Sequence, residues 1–321
     1  MRLSTLQKGS HKADKNETYM KHNTSTFLSG YAPFNDLIFF AKEVDELVAE
    51  GTPNSSFFCF DERDTDAQFR KYEESVGWPA IAMATIKPDG SDREVVAIGP
   101  NGDYWEAEPA LPQEYVGEIA DFQGNLRKLS VIDETIFACG MGRVVLARES
   151  KAKWKSIGPN PTKDDAEVIG FEDIDGYSKA EIYAVGWGGE IWFFDNSVWR
   201  CVDSPTSINL TALCCAKDES VYIVGHNGLM LRGRSDSWSI IETDRKENLR
   251  DVAFYDGVVY VVTDFRILKL VDDRLVNDTD FTDPNDIPGS CLHLLVAADG
   301  IISMGTKDVF RRQGNAWERL V

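Results

Sequence analysis

IYAVGWGGEIW, residues 182–192, is an apolar strand that meets a glycine, turns within a few residues and leaves as a second apolar strand. Five other stretches share the plan: VVAIGPNGDYW from Val95, IFACGMGRVVL from Ile136, VYIVGHNGLML from Val221, VYVVTDFRILKL from Val259 and IISMGTKDVF from Ile301. With Gly99, Gly140, Gly186, Gly225, Thr263 and Gly305 as equivalent points, the spacings are 41, 46, 39, 38 and 42 residues. A period of ~40–45 residues holding four short strands is the pattern of propeller blades. The predicted fold is therefore all-β, a single β-propeller of four-stranded antiparallel blades. Such a platform hosts many activities, so function has to be argued from residues that the repeats do not share.

One unit reads closely from 209 to 243. LTALCCA (210–216) suits an innermost strand packed on both faces, and Lys217-Asp218-Glu219-Ser220 is a polar turn. Residues 221–224 and 229–232 are the next two strands, joined through Gly225-His226-Asn227-Gly228, and Trp238-Ser239-Ile240-Ile241 is the outer one. Asn-Gly between apolar runs marks a hairpin because both positions tolerate positive φ. A tryptophan recurs 12–14 residues after the glycine, as Trp154, Trp199, Trp238 and Trp317. That regularity points to rings wedged between the outer strands of neighbouring blades, not to a ligand cage.

Residues 80–321 hold six recognisable blades, while 1–79 break the pattern. Residues 1–26 are polar and read as a tail. Residues 27–79 are long enough for a degenerate first blade, which makes seven blades the preferred count, with six blades plus an N-terminal cap as the alternative. Residues 37–48 (LIFFAKEVDELV) fit a strand or a short helix equally well. N-terminal strands beside the Trp317 blade would remove the open edges of the ring.

Lys and Arg number 34 against 53 Asp and Glu, a net charge of −19 at pH 7. Such a surface repels nucleic acid and anionic membrane and attracts cationic partners. The N-terminus has no apolar core of a secretory signal, and no stretch approaches the ~18 apolar residues that span a bilayer. Cys59, Cys139, Cys201, Cys214, Cys215 and Cys291 lack metal or disulfide spacing, as expected of free thiols in a cytoplasmic protein.

FEDIDGYSKAEIYAVGWGGEIWFFDNSVWRCV (171–202) resembles the unit of bacterial WD-repeat-like propellers and of photosystem II assembly-factor-like propellers. The resemblance covers roughly residues 80–321. It lacks the Trp-Asp and Gly-His pairs of true WD repeats and the signal sequence of the assembly factors. It implies a noncatalytic protein-binding propeller, and some propellers of this kind resemble immunity proteins encoded beside toxins.

No zinc-protease, nucleophile-elbow, phosphate-loop or dinucleotide motif is present, so neither catalytic residues nor a cofactor or metal are expected. Glu172-Asp173-Ile174-Asp175-Gly176 has the acidic look of a calcium loop without its ligand ladder, and reads as a turn between the first two strands of its blade. Hairpins between second and third strands project on the same propeller face as the blade-to-blade connections. The hairpins carry Asn101, Met141, Arg143, Trp187, His226, Phe265 and Lys307. The connections carry Asp164, Asp165 and Glu167, then Asp203, then Glu242 and Asp244, then Asp278, Asp280, Asp283 and Asp286. An aromatic centre inside an acidic rim suits a basic protein partner, because aromatic anchors supply binding energy and rim charge steers approach. The reading is a monomeric cytoplasmic protein that captures a cationic partner, most sharply an immunity protein neutralising a toxin. A scaffold or assembly factor is the alternative, followed by a carbohydrate-active propeller with a carboxylate pair in its channel.

Overall fold

The computed structural model describes residues 24–321 except 89, 110–112, 121 and 160–168. Its strands form seven four-stranded antiparallel sheets, each from one continuous stretch of chain. The first is β1 (Ser25–Phe34), β2 (Leu37–Val44), β3 (Ser55–Asp61) and β4 (Phe69–Val76). The second is β5 (Ala82–Ile86), β6 (Glu94–Ile98), β7 (Asp103–Ala107) and β8 (Glu114–Glu118), and the third β9 (Leu126–Ile132), β10 (Thr135–Gly140), β11 (Val144–Ser150) and β12 (Lys153–Ser156). The fourth is β13 (Phe171–Ser178), β14 (Glu181–Gly186), β15 (Ile191–Phe194) and β16 (Trp199–Val202). The fifth is β17 (Leu210–Cys215), β18 (Val221–Gly225), β19 (Met230–Arg234) and β20 (Ser237–Ile241). The sixth is β21 (Asp251–Tyr255), β22 (Val258–Val262), β23 (Ile267–Val271) and β24 (Arg274–Asn277), and the seventh β25 (His293–Ala297), β26 (Gly300–Met304), β27 (Val309–Gln313) and β28 (Ala316–Arg319).

The first strands of the seven sheets ring one axis, each touching the next, and β25 returns to β1. The protein is thus a seven-bladed β-propeller, and residues 27–79 contribute to a full blade instead of a cap. Residues 37–48 contain both candidate elements: strand β2, then a five-residue helix α1 (Asp45–Ala49).

Each sheet has a blade on either side, so both of its faces are buried. Second strands therefore read as continuous apolar runs instead of alternating ones, as in Val221–Gly225, buried at every position. Seven apolar clusters lie one at each seam between neighbouring blades. At the closing seam Phe27, Ile38, Phe40 and Phe60 of the first blade pack on Ile302, Met304 and Val309 of the last. Among the described residues no strand is exchanged there. Polar bonds stitch the loops instead: Phe27 N donates to Thr306 O at 2.8 Å, Asn35 N to Asp299 Oδ1 at 2.7 Å, and Lys307 Nζ to Ser25 O and Asp45 Oδ2.

The recurring tryptophans fill seams as expected. Trp154, Trp199 and Trp238 pack on the clusters they share with the preceding blades, and Trp317 is fully buried against Tyr260 of the sixth. The repeat glycine is required by crowding. A Cβ on Gly186 would lie 1.9 Å from Gly170 O, and one on Gly225 2.5 Å from Asn209 O, because the incoming connection crosses that point. Gly186→Ala must push this backbone aside, so we expect a loss of about 1–3 kcal/mol, read as a lower midpoint in thermal unfolding.

Candidate partner-binding face

Antiparallel order fixes which turns share a face. The second-to-third-strand turns and the blade-to-blade connections emerge at one end of the propeller; the remaining turns emerge at the other. On the first end the fifth-blade hairpin is a tight turn, His226–Gly228, with Asn227 at φ 56° and Gly228 at φ 73°. The fourth-blade turn, Trp187–Gly189, has the same form with Gly188 at φ 69° and Gly189 at φ 77°. The turn thereby leaves its first side chain outward.

Trp187 is 43% exposed and leans toward the axis, donating its Nε1 to Glu172 Oε1 at 2.6 Å. Phe265, on the sixth-blade hairpin, is 70% exposed. Leu47 and Val48 of α1 and Ile287 of the last connection are further exposed apolar groups on this face. Asp203, Glu242 and Asp244 are exposed, and no ion pair among the described residues involves them. His226 is half-buried, with its backbone N bonded to Asn209 O. Asp164, Asp165 and Glu167 lie outside the described residues.

Several other expected positions serve the fold. Arg143 donates Nε to Glu190 Oε2 at 2.8 Å and lies over the Trp192 ring, joining the third and fourth blades. Met141 is half-buried and bridges to Gly170. Asp278, expected on the rim, is buried: its carboxylate accepts from Trp317 Nε1 at 3.0 Å, Arg312 Nη1 at 3.0 Å and Lys269 Nζ at 3.3 Å. Asp280 is exposed but paired with Lys269 at 3.0 Å. These two carboxylates fasten the sixth blade to the seventh, because the chain after β24 runs along β28, with Phe281 bridging to Trp317.

The axial channel, about 610 Å3, is lined by the innermost strands. Glu172 to Gly176 is not a turn, as the sequence suggested, but part of innermost strand β13. Asp173 Oδ2 accepts from Leu213 N at 2.9 Å and Asp175 Oδ2 from Cys215 N at 2.8 Å, both in the next blade. Asp251 Oδ2 likewise accepts from Leu294 N at 2.9 Å. Register explains why the charges meet. Lys128, Asp173, Asp251 and His293 each pair with the residue just before the repeat glycine or its threonine substitute, so they share one layer of the ring. Lys128 Nζ stands 3.9 Å from both Asp173 Oδ1 and Asp251 Oδ2. One residue nearer the mouth lie Arg127, Glu172 and Arg250. The sequence signal for this cluster was available as polar residues opening otherwise apolar innermost strands, each 12 or 13 residues before the repeat point.

Burial pushes the Asp173 carboxyl up to about 7 against the pull of Lys128, with Asp251 adding to the rise. Burial opposes the Lys128 charge, but Asp173 and Asp251 outweigh it and raise its pKa. His293 is pulled down to about 4 by burial despite Asp251, so it is neutral at pH 7.

No family model matches the chain. Immune protein Tsi7 of Pseudomonas aeruginosa is 34% identical over 304 residues, spanning 91% of this chain and 96% of that protein. The chain belongs to the Tsi7 immune-protein family. Solved structures with the same fold include YCF48 bound to D1 peptide (TM-score 0.64, 12% identity, 89% of this chain and 90% of that one). Another is a catalytically inactive virginiamycin B lyase from Staphylococcus aureus with quinupristin (TM-score 0.69, 10% identity, 90% and 94%). At those identities the two structures speak to architecture alone, which agrees with the propeller resemblance in residues 80–321. No helix among the described residues is long and apolar enough to cross a membrane.

The raised Asp173 pKa gives a sign to the pH dependence. Its stabilising contribution is complete below the unfolded value near 4 and is lost as pH rises through about 7. Between pH 5.5 and 8 this group alone lowers stability by about 2 kcal/mol. Asp173→Asn should shrink the stability difference between those two pH values by about that amount in denaturant titrations; an unchanged difference would contradict the assignment.

Proposed function

We propose that this protein is a noncatalytic cytoplasmic immunity protein, which captures a basic toxin protein in a one-to-one complex on the hairpin-bearing face. Membership in the Tsi7 family supports a protective, protein-binding role. The observation that carries the site is the pair of exposed aromatics, Trp187 and Phe265, on the same end of the propeller as the carboxylates of Asp203, Glu242 and Asp244, which form no ion pair among the described residues. Large exposed rings flanking a rigid concave mouth are what binding anchors require, since they bury much apolar area at little entropic cost. A net charge of −19 accelerates approach of a cationic protein and repels nucleic acid and anionic membrane. His226 belongs to the proposed surface by its place on the fifth-blade hairpin. Arg143, Asp278 and Asp280 are left out of it because they hold blades together. Neutralisation then follows from coverage: a partner held against this face has its own working surface occluded.

The arrangement of the channel acids counts against the carbohydrate-active alternative. Asp173 and Asp251 each accept backbone N–H bonds at both oxygens and flank a lysine, whereas glycoside cleavage needs one carboxyl free to give a proton and another free to attack or activate water.

Trp187→Ala is expected to weaken the complex about 30-fold or more, the loss typical of a central aromatic anchor. Glu242→Lys with Asp244→Lys should slow association roughly tenfold and flatten its salt dependence. Surface plasmon resonance against the partner reads both. If neither substitution changes the kinetics, the proposed face is wrong.

A further inference from the structure

We propose that the captured partner, though basic overall, places one carboxylate in the mouth of the axial channel, where Arg127 and Lys128 receive it. This inference rests on the partner-binding reading above and adds what the partner presents at the axis.

Most arginines and lysines around this face are held by neighbouring acids. Arg143, Arg245, Arg250, Lys307 and Arg319 each donate a hydrogen bond to a carboxylate beside them. Arg127 and Lys128 differ. Arg127 is 39% exposed, and its Nε lies 3.7 Å from Glu172 Oε1, beyond hydrogen-bonding distance; that oxygen already accepts from Trp187 Nε1. Lys128, one layer deeper and 34% exposed, stands 3.9 Å from two oxygens that already accept backbone N–H bonds from Ile174 and Leu294. Among the described residues neither cation donates a hydrogen bond to a protein acceptor. Two sets of unused donors, in a chain of net charge −19, therefore open onto a water-accessible channel beneath the most exposed aromatics.

An acceptor with negative charge fits this mouth. A carboxylate matches the planar fork of a guanidinium through two parallel hydrogen bonds and can turn an oxygen toward an ammonium, and charge-assisted bonds of this kind are the strong ones. The exposed Trp187 ring gives the methylenes of an aspartate or glutamate an apolar wall. A lysine or arginine entering the same place would meet Arg127 and Lys128, while the neighbouring carboxylates of Glu172, Asp173 and Asp251 already accept from Trp187 Nε1 and from backbone N–H groups. The rim thus selects for a basic protein, while the axis rejects basic side chains, so only a partner with an acidic loop tip at the centre of a basic surface satisfies both.

The test exploits opposite signs. The protein that co-purifies one-to-one with the wild-type chain from its native host is titrated by calorimetry against Arg127→Gln, Arg127→Glu, Arg127→Lys and the Glu242→Lys/Asp244→Lys pair. Against a uniformly basic surface, removing the Arg127 charge makes the face more attractive and tightens binding. The inference predicts the reverse: Arg127→Gln weakens the complex about tenfold or more, Arg127→Glu weakens it further, and Arg127→Lys retains most of the affinity. Among the described residues the Arg127 side chain donates no hydrogen bond, and its one carboxylate neighbour is 3.7 Å away, so thermal unfolding of Arg127→Gln should match wild type. Unchanged or tighter binding by Arg127→Gln, with weaker binding by the rim pair, overturns the axial carboxylate and leaves the proposed function standing. Unchanged binding by all variants overturns both.

Discussion

A four-stranded sheet with two apolar faces is not stable alone, and everything in this molecule follows from burying both faces at once. The solution is cyclic. Each blade covers one face of each neighbour, and the seven resulting apolar clusters hold the ring, with no strand exchanged between its ends among the described residues. The last seam is the demanding one, since it joins parts of the chain more than 250 residues apart by packing Phe40 on Met304 and by loop bonds such as Lys307 to Asp45.

Closure also creates the functional geography. Seven innermost strands brought to one axis leave a channel of about 610 Å3 that their side chains do not fill, and the residues opening those strands meet there. Charge is tolerated because backbone N–H groups of the following blade are within reach, as at Asp173, Asp175 and Asp251. The hairpins and connections that must leave the sheets on one end then surround the channel mouth. Since the blades are rigid, side chains such as Trp187 and Phe265 are presented at fixed positions, which lowers the entropy lost when a partner docks.

Most of the architecture was legible because the constraint repeats. Gly186 and Gly225 recur where a connection crosses the strand end, and Trp199, Trp238 and Trp317 recur where the seam widens. The first blade hid from the period because its second-to-third-strand link is a helix, with the Asn54 amide accepting from Val44 N in place of a tight glycine turn. Glu172 to Gly176 was misread because aspartate and glycine are local turn formers, whereas here bonds to a blade 40 residues later hold them in a strand. Asp278 misled in the same way: a loop aspartate looks solvated until Trp317, Arg312 and Lys269 converge on it. Face membership follows from strand order; pairing between distant charges, such as Lys128 with Asp251, depends on register around the ring, which no local window contains.

The central claim is that one end of the propeller is the capture surface. Hydrogen–deuterium exchange of the protein alone and in complex with its partner measures this directly. The account predicts new protection confined to Trp187–Gly189, residues 263–266, and the connections at 203–209 and 242–250. Protection instead at the opposite-end turns, residues 195–198 and 272–273, with the first set unchanged, would contradict it.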